Sequence, residues 1–404
     1  MRSPGWWVLL ITLFVLAILF QRGMTALLVL VLGCAAGLGV YWTRHSLDEV
    51  SYSRSLDEAQ IEHGQETTLS LQFTNAKFLP LAWLSVSDAF PNKLELVTDE
   101  TRRTASQVKD LLVSVVSLRW YERVTHTHRV VGAQRGRFRL GPAEMVSGDV
   151  FGLQQSRREL SQVDHLTVYP KVVPVSALGL PAGRPMGDWL ARRRIIEDPL
   201  RFSQVREYMA GDNPRHIHWR ASARTGELQT KVFEPSDTLA LMLAVDVQTV
   251  VDAYAIVPEY LELAATAGAS LALEALEQHH MVGLCANSIG ERGEYWQLIR
   301  PGRHPMQARS LLERLAALEG FRGRPYAAML EDMRRHLPWG ATVVAISATP
   351  QPAALEALAA IQESGHPVML LTIGEEEPSI PITLSTHHLG GRNAWHRLES
   401  LELA

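Results

Sequence analysis

Two cysteines in 404 residues are too few for a disulfide-stapled fold or for a cysteine-built zinc or iron–sulfur site. Excess charge is also missing. A net charge of −4 at neutral pH argues against a dedicated nucleic-acid binder and against a polybasic membrane-surface protein. The chain lacks the phosphate-cradling G-x-x-x-x-G-K-S/T loop, the H-E-x-x-H zinc pair, the G-x-S-x-G nucleophile turn and any C-x-x-C, so the commonest routes to hydrolysis and redox chemistry are closed. Disorder is excluded by 47% hydrophobic and only 20% charged residues, enough to fill packed cores. A chain this long is expected to fold as two or three units.

The apolar residues are concentrated at the start. Residues 5–20 (GWWVLLITLFVLAILF) and 25–42 (TALLVLVLGCAAGLGVYW) carry no charge and are separated by four residues, which predicts a two-helix transmembrane hairpin over 1–45. Trp6, Trp7, Tyr41 and Trp42 stand where interfacial aromatics belong. A cleaved leader would need a small-x-small site after Phe20, and none follows. Cys34 reads as a packed helix cysteine. Arg2, Arg44 and Arg54 on one side, against Arg22 in the loop, favour a cytoplasmic body.

Over 46–170 the period falls to two. Thr68, Ser70 and Gln72 alternate with Leu69, Leu71 and Phe73, and further strands are expected at 81–86, 94–97, 111–121, 125–131 and 137–140. Short alternating strands with polar turns imply a β-sandwich. His126 and His128 share one strand face and are expected to face solvent. From 238 to 382 apolar strands alternate with helical patterns, which predicts a mostly parallel, doubly wound α/β domain with its ligand edge after the first strand, at Asp246. Cys285 falls within one of these strands as a core thiol. A tail, 383–404, follows.

Between the two lies a segment, 171–237, expected to be a linker. Its stretch from Arg192 to Lys231 holds nine basic and five acidic residues, a basic island on an acidic chain. Gly211-Asp212-Asn213-Pro214 is turn chemistry. Arg220 and Arg224 share a face if Trp219 to Thr225 is helical, and Gly226 suits the helix stop. The pair beside His218 and Asp212 could bind a carboxylate or phosphate; alternatively Arg206, Glu207, Asp212 and Glu234 could tie the sandwich to the α/β domain through ion pairs.

The run REYMAGDNPRHIHWRASARTGELQTKVFEPSDT (206–238), with RGRFRLGPAEMVSGDVFGL (135–153), VYPKVVP (168–174) and the region 73–91, resembles the family known as domain of unknown function fifty-eight. That family is described as MoxR-associated, with a von Willebrand factor A-like domain. The resemblance implies a membrane-anchored α+β chain made of a helical hairpin, a β-sandwich and a von Willebrand A-like domain, working beside a MoxR-type AAA+ ATPase. Its signature positions here are Arg206, Glu207, Tyr208, Gly211, Asp212, Pro214, His218, Trp219, Arg220, Ser222, Arg224, Thr225, Gly226 and Glu234. Von Willebrand A domains often hold Mg²⁺ on a D-x-S-x-S loop; here that loop is Asp246-Val247-Gln248-Thr249-Val250, and Asp246 alone remains of it. No metal and no cofactor are expected. The chain is thus read as a non-enzymatic interaction or scaffold protein for a MoxR-type ATPase in the assembly or maturation of other proteins. The alternatives are a metal-dependent adhesion or ligand-binding module and, more distantly, a hydrolase using His218 and Asp212.

Overall fold

The computed structural model describes residues 11–12, 14–15, 19, 23–97, 105–108, 110–150, 154–175, 196–209, 217–236, 240–251, 255–290, 293–380 and 384–401. The chain divides into two compact units, Met1–Val168 and Tyr169–Ala404.

The first unit begins with helix α1, Gly23–His45, 23 residues long and without a charge until Arg44. At 1.5 Å per residue it is about 34 Å long, enough to cross a bilayer. By length and composition it is compatible with a membrane anchor or a signal sequence. The earlier expected span, 5–20, lies almost wholly outside the described residues. Cys34, expected to be packed, is exposed on α1.

Twelve strands follow: β1 (Val50–Leu56), β2 (Gln60–Ile61), β3 (Glu66–Asn75), β4 (Leu81–Ala89), β5 (Glu95–Val97), β6 (Ala105–Val108), β7 (Leu111–Leu118), β8 (Arg123–Val131), β9 (Gly136–Leu140), β10 (Ala143–Gly148), β11 (Gln155–Leu160) and β12 (Asp164–Val168). They form one sheet of order β1-β3-β8-β5, a second of order β11-β10-β4-β7-β6 and a small third of order β2-β12-β9. The two larger sheets are antiparallel throughout. Alternation explains them. Along β3, Thr67, Leu69, Leu71, Phe73 and Asn75 are buried while their neighbours are partly exposed, and Leu84, Val86, Leu112, Val116 and Leu118 from the second sheet join the same core. This arrangement is compatible with the expected β-sandwich.

The histidine expectation fails on the same alternation. His128 and Val130 occupy inward positions of β8, so His128 is buried, and the His126 ring stands edge-on to Phe73 at 5.5 Å. Burial, reinforced by His126, pushes the pKa of His128 below its ordinary value.

Strand β1 buries a charge. Arg54 is 5% exposed; its Nη1 donates to Asp88 of β4 (2.6 Å), its Nε to Asp164 of β12 (3.0 Å) and its Nη2 to Leu140 O of β9 (2.8 Å). Tyr52 donates to the same Asp88 at 2.6 Å. Burial disfavours the guanidinium charge, yet the two carboxylates outweigh it and hold the Arg54 pKa above its usual value. Burial and Asp88 likewise raise the Tyr52 pKa. Arg54 therefore is no juxtamembrane charge, and the orientation count loses one of its three arginines.

The second unit opens with two long strands, β13 (Ile196–Glu207) and β14 (Gln229–Ser236), paired antiparallel with a short helix α2 (Trp219–Thr225) between them. This hairpin replaces the expected linker. Beyond it come β15 (Ala240–Val245), α3 (Pro258–Glu277), β16 (Met281–Ala286), β17 (Gln297–Gly302), α4 (Gln307–Ala316), α5 (Tyr326–Arg334), β18 (Thr342–Ser347), α6 (Pro352–Glu363), β19 (Val368–Thr372), β20 (Ser385–His388) and α7 (Arg392–Arg397). The six-stranded sheet has the order β17-β16-β15-β18-β19-β20, with β17 antiparallel at one edge and the other neighbours parallel.

Both faces are covered, which is why β15, β18 and β19 read as apolar runs broken only at their ends by Thr342, Ser347 and Thr372. Leu241, Leu243 and Val245 pack with α3 and α4 on one side. Met242 and Ala244 pack with α5 and α6 on the other, where Cys285 lies buried with its Sγ 3.0 Å from Met333 Sδ. Burial pushes the Cys285 thiol far above the ordinary range, which keeps it inert as a nucleophile. Two boundaries move. Val173 and Val175 from the expected linker, and Leu398 and Leu401 from the stretch expected to be a strand or tail, are part of this core, and Lys171 Nζ donates to Leu398 O at 2.5 Å.

Substituting Asp88 by Ala strands a buried guanidinium and is expected to destabilise the first unit by about 3–5 kcal/mol. Urea unfolding in detergent checks this; the double variant Arg54→Leu, Asp88→Leu should lose clearly less, and equal losses would contradict the role given to the pair.

Candidate functional site

Two places gather the residues that the sequence singles out: the hairpin around α2, and the carboxyl edge of the parallel sheet at Asp246. They are built differently.

In the hairpin, part of the signature builds and part is presented. Tyr208 N donates to Leu228 O (2.8 Å) and His218 N to Gln229 O (2.7 Å), continuing the β13–β14 pairing toward the helix. The His218 side chain caps α2, its Nδ1 accepting from Ala221 N at 3.0 Å. Ser222 Oγ donates to His218 O (3.1 Å) and accepts from Gln229 N (2.8 Å), which pins the helix to β14. Thr225 Oγ1 donates back to Ala221 O at 3.2 Å. Gly226, at φ 77°, closes the helix in the left-handed conformation, with its N–H on Ser222 O. The expected helix and its stop are both present.

The remaining signature residues face outward. Trp219 is 68% exposed, and Arg220 and Arg224 are exposed on the same short helix. Met209, Leu228 and Val205 add exposed apolar surface nearby in the chain. Arg206 and Glu207 are exposed, with Arg206 donating to Glu207 O at 3.0 Å. Gly211, Asp212 and Pro214 lie outside the described residues; Glu234 is placed on β14, and its side chain is outside the described set. An anion site pairing Asp212 with the arginines accordingly has no described geometry.

At the sheet edge, Asp246 follows β15 and is 4% exposed. Its Oδ1 accepts from Gln248 N (3.0 Å) and Asn287 Nδ2 (2.8 Å), and its Oδ2 from Ser347 Oγ (2.9 Å). Asn287 Oδ1 in turn holds Val247 N at 2.8 Å. Gln248 Oε1 receives Arg322 Nη1 at 2.7 Å, and Thr249 Oγ1 accepts from Val257 N at 2.9 Å. Sequence reasoning missed Asn287 and Arg322. They stand 41 and 76 residues downstream of Asp246, and only the parallel pairing of β15 with β16 and β18 brings two of the partners, Asn287 and Ser347, to one edge. These residues do not fit a divalent cation. Mg²⁺ needs several free oxygen donors at short range, whereas both oxygens of the single carboxylate are already held by N–H and O–H donors. Among the described residues no group of three His, Cys, Asp or Glu could hold a metal.

Residues 204–383 match the family model described as protein of unknown function DUF58. The match supports the DUF58 family. It covers the hairpin from within β13 and most of the α/β sheet. The uncharacterized protein YeaD of Bacillus subtilis is 26% identical over 265 residues, covering 60% of this chain and 60% of that protein. Solved structures give weaker likenesses. The pilus adhesin SpaC of Lactobacillus rhamnosus GG matches 41% of this chain and 29% of its own at 12% identity and a TM-score of 0.30. A type II cohesin domain of Acetivibrio cellulolyticus matches 29% and 94% at 11% identity and 0.23. Scores this low carry no argument about what the chain does.

Burial raises the Asp246 carboxyl above its ordinary value of 3.8, against the pull of Gln248 N, Asn287, Ser347 and Arg322. The folded protein thus holds this proton at pH values where the unfolded chain has released it. The resulting stabilisation is full below 3.8 and is lost as pH rises through the folded value. Chemical denaturation between pH 4 and 7 should show wild type losing stability relative to Asp246→Asn as pH rises; a constant gap would contradict the shift.

Proposed function

We propose that this chain is a membrane-anchored interaction protein that offers the α2 hairpin to a partner, a MoxR-type AAA+ ATPase, in the assembly or maturation of other proteins. The observation that carries the reading is the division within the signature. His218, Ser222, Thr225 and Gly226 spend their hydrogen bonds fixing a seven-residue helix, and that helix presents a tryptophan and two arginines to solvent. Holding these side chains on a capped helix reduces the ordering cost of binding, and Trp and Arg are the residues most enriched at the centres of interfaces.

In this reading nucleotide hydrolysis belongs to the partner, and the chain itself performs no catalysis. Its two-sheet unit acts as a β-sandwich, and its parallel sheet as a von Willebrand A-like domain that has exchanged its cation for the Asp246–Asn287–Ser347 hydrogen bonds, so that docking is metal-independent. The anchor is a two-span hairpin with α1 as its second span. With Arg54 removed from the count, Arg2 and Arg44 against Arg22 still favour a cytoplasmic body at a bacterial inner membrane. The family match and the weak likeness to YeaD are compatible with this reading, and neither name states an activity.

Trp219→Ala, or Arg220→Ala with Arg224→Ala, should weaken ATPase binding at least about tenfold, the loss of one strong interface anchor. Helix content should be unchanged, because all three side chains are exposed. Co-purification from native membranes with and without EDTA checks this; unaltered recovery from the variants would contradict hairpin docking, and loss in EDTA with ATP-free partner would contradict metal independence.

A further inference from the structure

The first unit carries a second exposed apolar feature that the docking reading does not use. Phe78 and Trp120 are stacked in parallel, ring centroids 5.6 Å apart and planes 6° from one another. They are 72% and 58% exposed, and Tyr121 beside them is 69% exposed. Three large aromatics held open to solvent on a folded sheet are costly to leave uncovered.

Their place in the fold identifies what covers them. Phe78 lies in the β3–β4 loop, Trp120 and Tyr121 in the β7–β8 loop. The register Val50↔Asn75 and Thr74↔Arg123 puts both loops at the end of the sheets where the chain arrives from α1. Direct bonds knit the loops to the base of that helix. Lys77 Nζ donates to Ser46 O and Asp48 O, each at 2.5 Å. Ala76 N donates to Glu49 O (3.0 Å), and Tyr121 N to Lys77 O (3.2 Å). Asn75 Nδ2 donates to Leu79 O and Arg119 O, bridging the two loops. Burial pushes the Lys77 pKa down to about 8. Near the other flank of α1, Gly39 approaches Asp149 at the β10 turn, and Val150 there is 60% exposed.

The geometry points to a lipid-interface platform: Phe78, Trp120 and Tyr121, with Val150, rest in the headgroup layer around α1 and seat the two-sheet unit on the membrane. Tryptophan and tyrosine partition to this depth because an apolar ring and a polar edge are satisfied together there. Tyr41, 58% exposed in the last turns of α1, adds an aromatic of the same kind on the helix itself. The inference rests on the reading of α1 as a membrane span. It adds that the unit does not swing freely on its anchor.

The test uses the full chain in lipid vesicles, labelled with an environment-sensitive fluorophore at one cysteine at a time. Native Cys34, at the middle of α1, reports whether the helix is inserted through quenching by nitroxides placed deep in the acyl chains. With Cys34 replaced by Ser, Phe78→Cys and Trp120→Cys report the platform, and Glu62→Cys reports the opposite end of the sheets. Cys285 is buried and stays unlabelled in the folded protein. Quenching by headgroup-depth nitroxide lipids is expected to be at least about threefold stronger at 78 and 120 than at 62, the contrast between an interfacial and a water-exposed ring position. Equal, weak quenching at 78, 120 and 62 with strong quenching at Cys34 would overturn the platform while leaving the anchor intact, and would return the aromatic pair to a protein partner. Weak quenching at Cys34 as well would overturn both. Far-ultraviolet circular dichroism of each labelled variant, matched to wild type, confirms that the signals come from the folded chain.

Discussion

A guanidinium buried where three sheets meet sets the terms for the first unit. Arg54 rises from β1, the first strand after α1, and is satisfied by carboxylates from β4 and β12 and a carbonyl from β9. A charge that far from water is tolerable only while every partner stays in place. Small shifts of any of the three sheets would leave it unpaired, so the network selects one arrangement. Because β1 begins within five residues of α1, the same constraint fixes the loops at the base of the helix, and with them Phe78 and Trp120.

The second unit solves the equivalent problem at Asp246 without a counter-charge in contact. Its carboxylate is held by an amide, a side-chain amide and a hydroxyl, and the nearest guanidinium, Arg322, reaches it only through Gln248. The result is a rigid carboxyl edge on a sheet whose both faces are packed. In the proposed function the docking surface lies not at the edge where α/β sheets usually bind ligands but on the hairpin before β15.

What was legible in the sequence follows from how cleanly each segment obeys one period. β3 alternates without fault and was readable, as were β15, β18 and β19, whose burial on both faces leaves polar residues only at the strand ends, Thr342, Ser347 and Thr372. The α2 helix was readable from Trp219 to Gly226 because the arginine spacing and the glycine stop agree. β1 was hidden, since Arg54 sits at an inward position and breaks the apolar alternation. β8 misled at His126 and His128 for the same reason, a polar side chain on a buried face. β13 and β14 escaped notice because Pro199 and Pro235 fall within them and their register shifts twice. β20, with the polar run Ser385–His388, is an edge strand recognisable only once β19 offers it a partner. At the site, His218 and Asp246 were visible as residue types, whereas Asn287 and Ser347 join Asp246 only through sheet topology and Arg322 only by way of Gln248.

In the proposed function the signature tryptophan, displayed on a capped helix, is covered when the partner docks. Hydroxyl-radical footprinting of the protein in native membranes, read by mass spectrometry at Trp219 before and after addition of the ATPase, tests it most directly. The account predicts rapid oxidation of Trp219 in the free protein and strong protection in the complex, with Met333 in the core unreactive in both. A Trp219 already protected in the free protein, or equally reactive with and without the ATPase, would contradict it.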